Sequence, residues 1–167
     1  GDDVSVGGVR AYSTLGWFED PVLNTMLSPA PPYLAGVMFH ELAHQQLYAE
    51  NDSAFNEAFA TAVERAGVRR WLTAHGSAES RQRYEQAFAR RADFSRLVLG
   101  FREQFVTLYA SDSQPAQMRE RKRALIATLR AEYQRMAARW EVNAYAHYFD
   151  EGLNNARLAS VATYLRW

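Results

Sequence analysis

Between residues 79 and 141 the apolar side chains recur at alternating three- and four-residue steps. Tyr84, Phe88, Phe94, Val98, Phe101, Phe105 and Leu108 carry the first run; Met118, Leu125, Leu129, Tyr133, Met136 and Trp140 carry the second. That period is the signature of an α-helix burying one stripe. Residues 79–110 and 115–141 are therefore expected to form two long antiparallel helices packed along a seam. The break SDSQP between them sets Pro115 in the first turn of the second helix, where a missing N–H costs nothing.

The remaining segments attach to this pair. Val9–Phe18 has β-branched and aromatic residues in loose alternation with glycines near its ends, and reads as a strand. SPAPPY punctuates the chain, with Pro31 and Pro32 at a helix entry. Tyr33 to Tyr48 places apolar residues at 33, 34, 37, 38, 42 and 47, a helical repeat. AENDS breaks it, and Asp52 or Ser53 can cap a following helix that runs to about Leu72. TAHGS is then a loop, FDEGLNN a turn, and ARLASVATYLRW a last amphipathic segment. With 167 residues, 48% of them hydrophobic, one domain with a sizeable core is expected over 1–167. The fold class is expected to be α+β, mostly α, with a small strand region near the N-terminus.

Composition narrows the chemistry. The chain has no cysteine, so a transition metal would have to be held by nitrogen and oxygen. Its net charge of zero hides an asymmetry: residues 1–60 carry one arginine against eight acids, and residues 61–167 carry 18 bases against 11 acids. Those bases are spread among acids along helical faces, the pattern of solvated surface, and no nucleic-acid partner is expected. No apolar run approaches the roughly 20 residues that would span a bilayer. The chain opens without methionine and stops inside an apolar segment, as expected of a piece of a longer protein.

The stretch VMFHELAHQQLY carries the strongest chemical signal. Residues four apart share one face of a helix, so His40 and His44 can direct imidazole nitrogens at one point. Glu41 lies about 100° further around, where its carboxylate can take a proton from an attacking water and pass it to a leaving amine. A zinc site open for catalysis needs three protein ligands and a free position. Glu57 best supplies the third, because the path through the reversal at 50–53 brings it back opposite His44 on the returning helix. Taken alone, Glu57 could be a helix N-terminal acid favoured by the dipole. Asn56 and Glu64 are candidates for orienting a ligand from behind.

Other parts of a hydrolytic site stay open. His147, Tyr145 and Asn155 could each stabilise an oxyanion; buried His or Tyr bonded to a carbonyl, and Asn154–Asn155 capping the last helix, are the structural alternatives. Ala11–Leu15 could receive a peptide as an added strand, or be an ordinary strand. Glu19, Asp20 and Glu50 are available to bind an amine, and His75 reads as an exposed loop residue.

HELAH followed by NEAF resembles the glutamate zincins (gluzincins), in which HExxH supplies two zinc ligands and a glutamate on the next helix the third. More narrowly, AYSTLGWFEDPVLNTML, LAGVMFHELAHQQLY, AFNEAFATAVERAGVRRWL and LNNARLASVATY are similar to a bacterial family described as predicted aminopeptidases. The resemblance implies a zincin-like core, one Zn2+ ion, a peptide substrate and a parent protein with a lipoprotein export signal, anchored in the periplasm or cell envelope. Two rivals remain on the residues alone. One is a non-catalytic helical interaction module using the Arg-rich pair. The other is a structural zinc with a fourth ligand from His147 or Glu64.

Overall fold

A computed structural model describes Val4 and residues 31–150 and 153–158. Five helices occupy this part of the chain: α1, Pro31–Gln46; α2, Ser53–His75; α3, Ala78–Tyr109; α4, Pro115–Trp140; and α5, His147–Asp150. Residues 155–158 are also helical. No strand occurs among the described residues, which corrects the expected α+β class: they are all-α. The physical reason is the apolar period, three and four residues throughout, which lets each backbone group bond locally within its own helix. Val9–Phe18, on which the strand was read, lies outside the described residues. No helix among them is long and apolar enough to cross a membrane.

The described residues fall into two compact units, 31–88 in the first and 89–158 with Val4 in the second. In the first, α1 packs against α2. The approach is close because small residues sit at the contact: a Cβ on Gly67 would lie 2.5 Å from the Phe39 ring. Ala43, Ala60, Val68 and Leu72 form the buried apolar positions here, next to the buried polar His44, Asn56 and Thr61. The reversal between the helices turns through Asn51 at φ 62°, a left-handed conformation that asparagine tolerates better than most residues. Asp52 caps α2 by accepting from the Phe55 amide at 3.0 Å, one of the two caps expected from sequence. Asn56 closes the reversal, its amide accepting from Ala49 N at 2.7 Å and donating to Ala49 O at 2.8 Å.

At the far end of α2 the helix runs to His75 rather than Leu72, so His75 ends a helix instead of sitting in a loop. The Gly76 amide donates to the Leu72 carbonyl, and Arg81 adds a second donor to that carbonyl and one to the carbonyl of Gly76. Arg69 and Glu85 add a two-pronged ion pair at 2.5 and 2.6 Å.

The second unit has an aromatic core. Phe94, Val98, Phe101 and Phe105 of α3 cluster with Leu129 and Tyr133 of α4, with Tyr148 and Phe149 of α5, and with Leu153 and Leu158. The α3 and α4 members of this cluster belong to the apolar periods read from the sequence, while Tyr84 and Phe88 of the first period fall in the other unit. Phe94 is the centre of the cluster, stacked on Tyr145 at 4.2 Å and edge-on to Tyr133 and Tyr148. The Tyr133 hydroxyl donates to Asn143 at 2.6 Å and accepts from the Tyr145 amide at 2.9 Å, which fixes the chain after α4. α4 itself stops at Glu141, whose φ of 55° ends the helix in a left-handed cap.

Candidate metal centre

His40 and His44 stand one turn apart on α1, as their spacing requires, with ring centroids 5.0 Å apart and planes 81° to each other. Glu57, in the second turn of α2, reaches between them. One carboxylate oxygen is 3.4 Å from His40 Nε2 and the other 3.8 Å from His44 Nε2. The three donors all lie within 4.8 Å of one another. A tetrahedral zinc with bonds of about 2.0–2.2 Å holds its donors about 3.3–3.6 Å apart. The His40–Glu57 distance already meets that span, and the group as a whole needs closing by about 1.5 Å at most. Nitrogen and carboxylate oxygen are also the right donor chemistry for a cysteine-free zinc site. The residues fit the ion.

Each donor is placed by a local cause. The close approach of α1 and α2 brings Glu57 to the histidines, and the Asn56 bonds to Ala49 set where α2 begins its climb. Asn56 therefore acts on the backbone of the reversal, and its side chain meets no ligand atom. Glu64, two turns beyond Glu57, places Oε2 3.3 Å from His40 Nδ1, the nitrogen facing away from Glu57. His44 is buried with Nδ1 unpartnered among the described residues, which confines its chemistry to Nε2.

Electrostatics follow from this packing. Burial pulls the His40 pKa down, but the Glu64 hydrogen bond and the charges of Glu57, Glu64 and Glu41 outweigh it and hold the value above the ordinary 6.5. His40 thus sits between two carboxylates, one at each ring nitrogen. Glu41 is half-buried next to it and close enough for its charge to contribute. Tyr84 on α3 is a buried phenol with no hydrogen-bond partner among the described residues. Burial first, and then the charges of Glu64 and Glu85, push its pKa up to about 12 against the opposing pull of Arg65 and Arg69.

The other sequence candidates belong to the second unit and make contacts there. Tyr145 stacks on Phe94 and its pKa is raised by burial. His147 is exposed, with its backbone carbonyl accepting from Arg157 at 3.0 Å. Asn155 accepts from the Tyr109 hydroxyl at 2.8 Å, while Asn154 caps the following helical turn through the Arg157 amide. In the first unit, Glu50 is exposed on the reversal; Glu19, Asp20 and Ala11–Leu15 lie outside the described residues. Gly36 escaped the sequence reading, and Tyr84 entered it only as an apolar position of the first long helix, not as a neighbour of the acidic groups around His40. A glycine inside a helix, one turn before a metal-type histidine, was the available signal for the first; nothing in the sequence marked the second as such a neighbour.

Fold and site together define a helical protein with a three-donor, metal-type group on a close helix pair. The chain belongs to the family described as "putative aminopeptidase", whose family model matches residues 1–167. No curated protein and no solved structure matches it.

Proposed function

We propose that the chain is a zinc-dependent peptidase of the glutamate-zincin type, with His40, His44 and Glu57 holding one ion and Glu41 as general base. The convergence of those three donors within 4.8 Å, drawn from two helices, is the observation that carries the reading. Bound there, zinc would polarise a peptide carbonyl and acidify a water. Glu41 takes the proton of that water as its oxygen attacks the carbonyl carbon. When the C–N bond breaks, Glu41 returns the proton to the departing amine, so the sum is one water added across one peptide bond.

Two features favour a catalytic over a structural ion. Glu64 is engaged at Nδ1 of His40, the wrong side for a fourth ligand. Only His40, His44 and Glu57 group as donors among the described residues, so a tetrahedral ion held by them would keep one position free of protein. The family description supports removal of N-terminal residues as the form of peptide hydrolysis.

Metal analysis of the purified chain should give one zinc per molecule, and none would overturn the reading. Glu41→Gln should keep the zinc while peptide hydrolysis falls about 10²–10⁴-fold. Undiminished hydrolysis in that variant would remove Glu41 as the base. Comparison of free and N-acetylated peptides then tests the aminopeptidase assignment, with cleavage of both counting against it.

A further inference from the structure

Gly36 lies on α1 one turn before His40, at the level where Glu64 crosses from α2. A Cβ at residue 36 would stand 3.3 Å from Glu64 Oε1 and 3.5 Å from its Cγ. The other oxygen of the same carboxylate is the one 3.3 Å from His40 Nδ1. The carboxylate therefore straddles a turn of α1, with one oxygen over bare backbone and the other at the imidazole. Val68 Cγ2, the remaining neighbour, would be 3.5 Å from that Cβ, an ordinary contact that a methyl could share. Helix packing alone thus leaves room for alanine here, and alanine is the better helix former. The tight contact is with the carboxylate.

We propose that Gly36 is a positioning residue of the metal centre: its missing side chain is the notch through which Glu64 reaches His40 Nδ1 and turns Nε2 toward Glu57. The inference rests on the zinc reading above. An imidazole that binds metal through one nitrogen is oriented by what accepts from the other. At 3.3 Å the present bond is at the long end of its range, so a displacement of a few tenths of an ångström weakens it steeply. A methyl at residue 36 pushes the carboxylate away from α1, and His40 is on α1.

The test is a double-mutant cycle read by zinc affinity, with the apo chain titrated against a chromophoric chelator. Gly36→Ala and Glu64→Ala should each weaken zinc about 10–100-fold. Combined, they should be no weaker than Glu64→Ala alone, because the methyl then has nothing left to displace. Melting of the apo Gly36→Ala protein should be unchanged or higher by about 1–4 °C, which a merely structural glycine would not allow. Wild-type zinc affinity in Gly36→Ala, or losses that multiply in the double variant, would overturn the proposal while leaving the zinc reading intact. Absence of zinc from the wild type would overturn both. Should Gly36→Ala not fold, Glu64→Asp decides: it leaves α1 untouched, withdraws the carboxylate from the notch and should weaken zinc as far as Glu64→Ala, and undiminished affinity would count against the notch.

Discussion

In the second unit the buried positions are filled by Phe94, Phe101, Phe105, Tyr133, Tyr148 and Phe149, whereas in the first they are Ala43, Ala60, Val68 and Leu72 beside His44, Asn56 and Thr61. An aromatic ring removes about 150–250 Å² from water, several times what an alanine does. Among the described residues, the second unit therefore has the larger hydrophobic contribution to stability. The first unit uses small residues to bring two helices close, and that closeness lets short polar side chains from each meet. Chemistry and apolar burial are concentrated in different parts of the chain.

Substitutions sharpen or break this contrast. Phe94→Ala, which empties the centre of the aromatic cluster, should lower stability by about 3–5 kcal/mol in urea denaturation. Zinc affinity of the folded protein should hold, since no ring of that cluster is a donor. Asn56→Ala should cost about 1–3 kcal/mol, because it leaves the half-buried Ala49 N–H without its partner and takes one of two donors from the Ala49 carbonyl. It should also weaken zinc, and a larger zinc loss in Phe94→Ala than in Asn56→Ala would reverse the comparison.

Smaller effects test the polar economy of the first unit. Tyr84→Phe removes a buried hydroxyl that has no partner among the described residues, so thermal stability should rise by up to about 1 kcal/mol. A loss would show that the hydroxyl is bonded after all. The Arg69–Glu85 pair should matter least. Arg69 holds the Glu85 pKa below its ordinary value, so the pair contributes above the unfolded carboxylate pKa and its contribution disappears as pH falls through the folded one. Both side chains are more than two-fifths exposed, so solvent screening keeps the effect small. Glu85→Gln should therefore differ from wild type near neutrality and match it in acid; a difference that persists at low pH would rule out the ion pair as its cause.

Much of the helical architecture was legible because it is local. The two long periods gave helices within a residue of their observed ends, 78–109 and 115–140. Spacing alone put His40 and His44 on one face, and counting residues around the reversal brought Glu57 to them. The α+β expectation came from reading β-branched and aromatic residues as strand, a preference that depends on which neighbours a segment meets. Asn56 was placed in the right neighbourhood with the wrong partner: its bonds to Ala49 depend on the shape of the reversal, which residue types do not encode. Gly36 offered a signal but not its meaning, for a related reason. What its bare backbone accommodates comes from a side chain 28 positions away.

The Asn56 clasp has a consequence for how this chain tolerates changes in length. It pins the first turn of α2 to the last residues before the reversal, so the connection behaves as a fixed gear rather than a slack tether. One extra residue between Asn56 and Glu57 would swing the carboxylate about 100° around the axis, off both imidazoles. Insertions are better accommodated in the linker at 111–114, where added residues lengthen an exposed loop without re-indexing any donor.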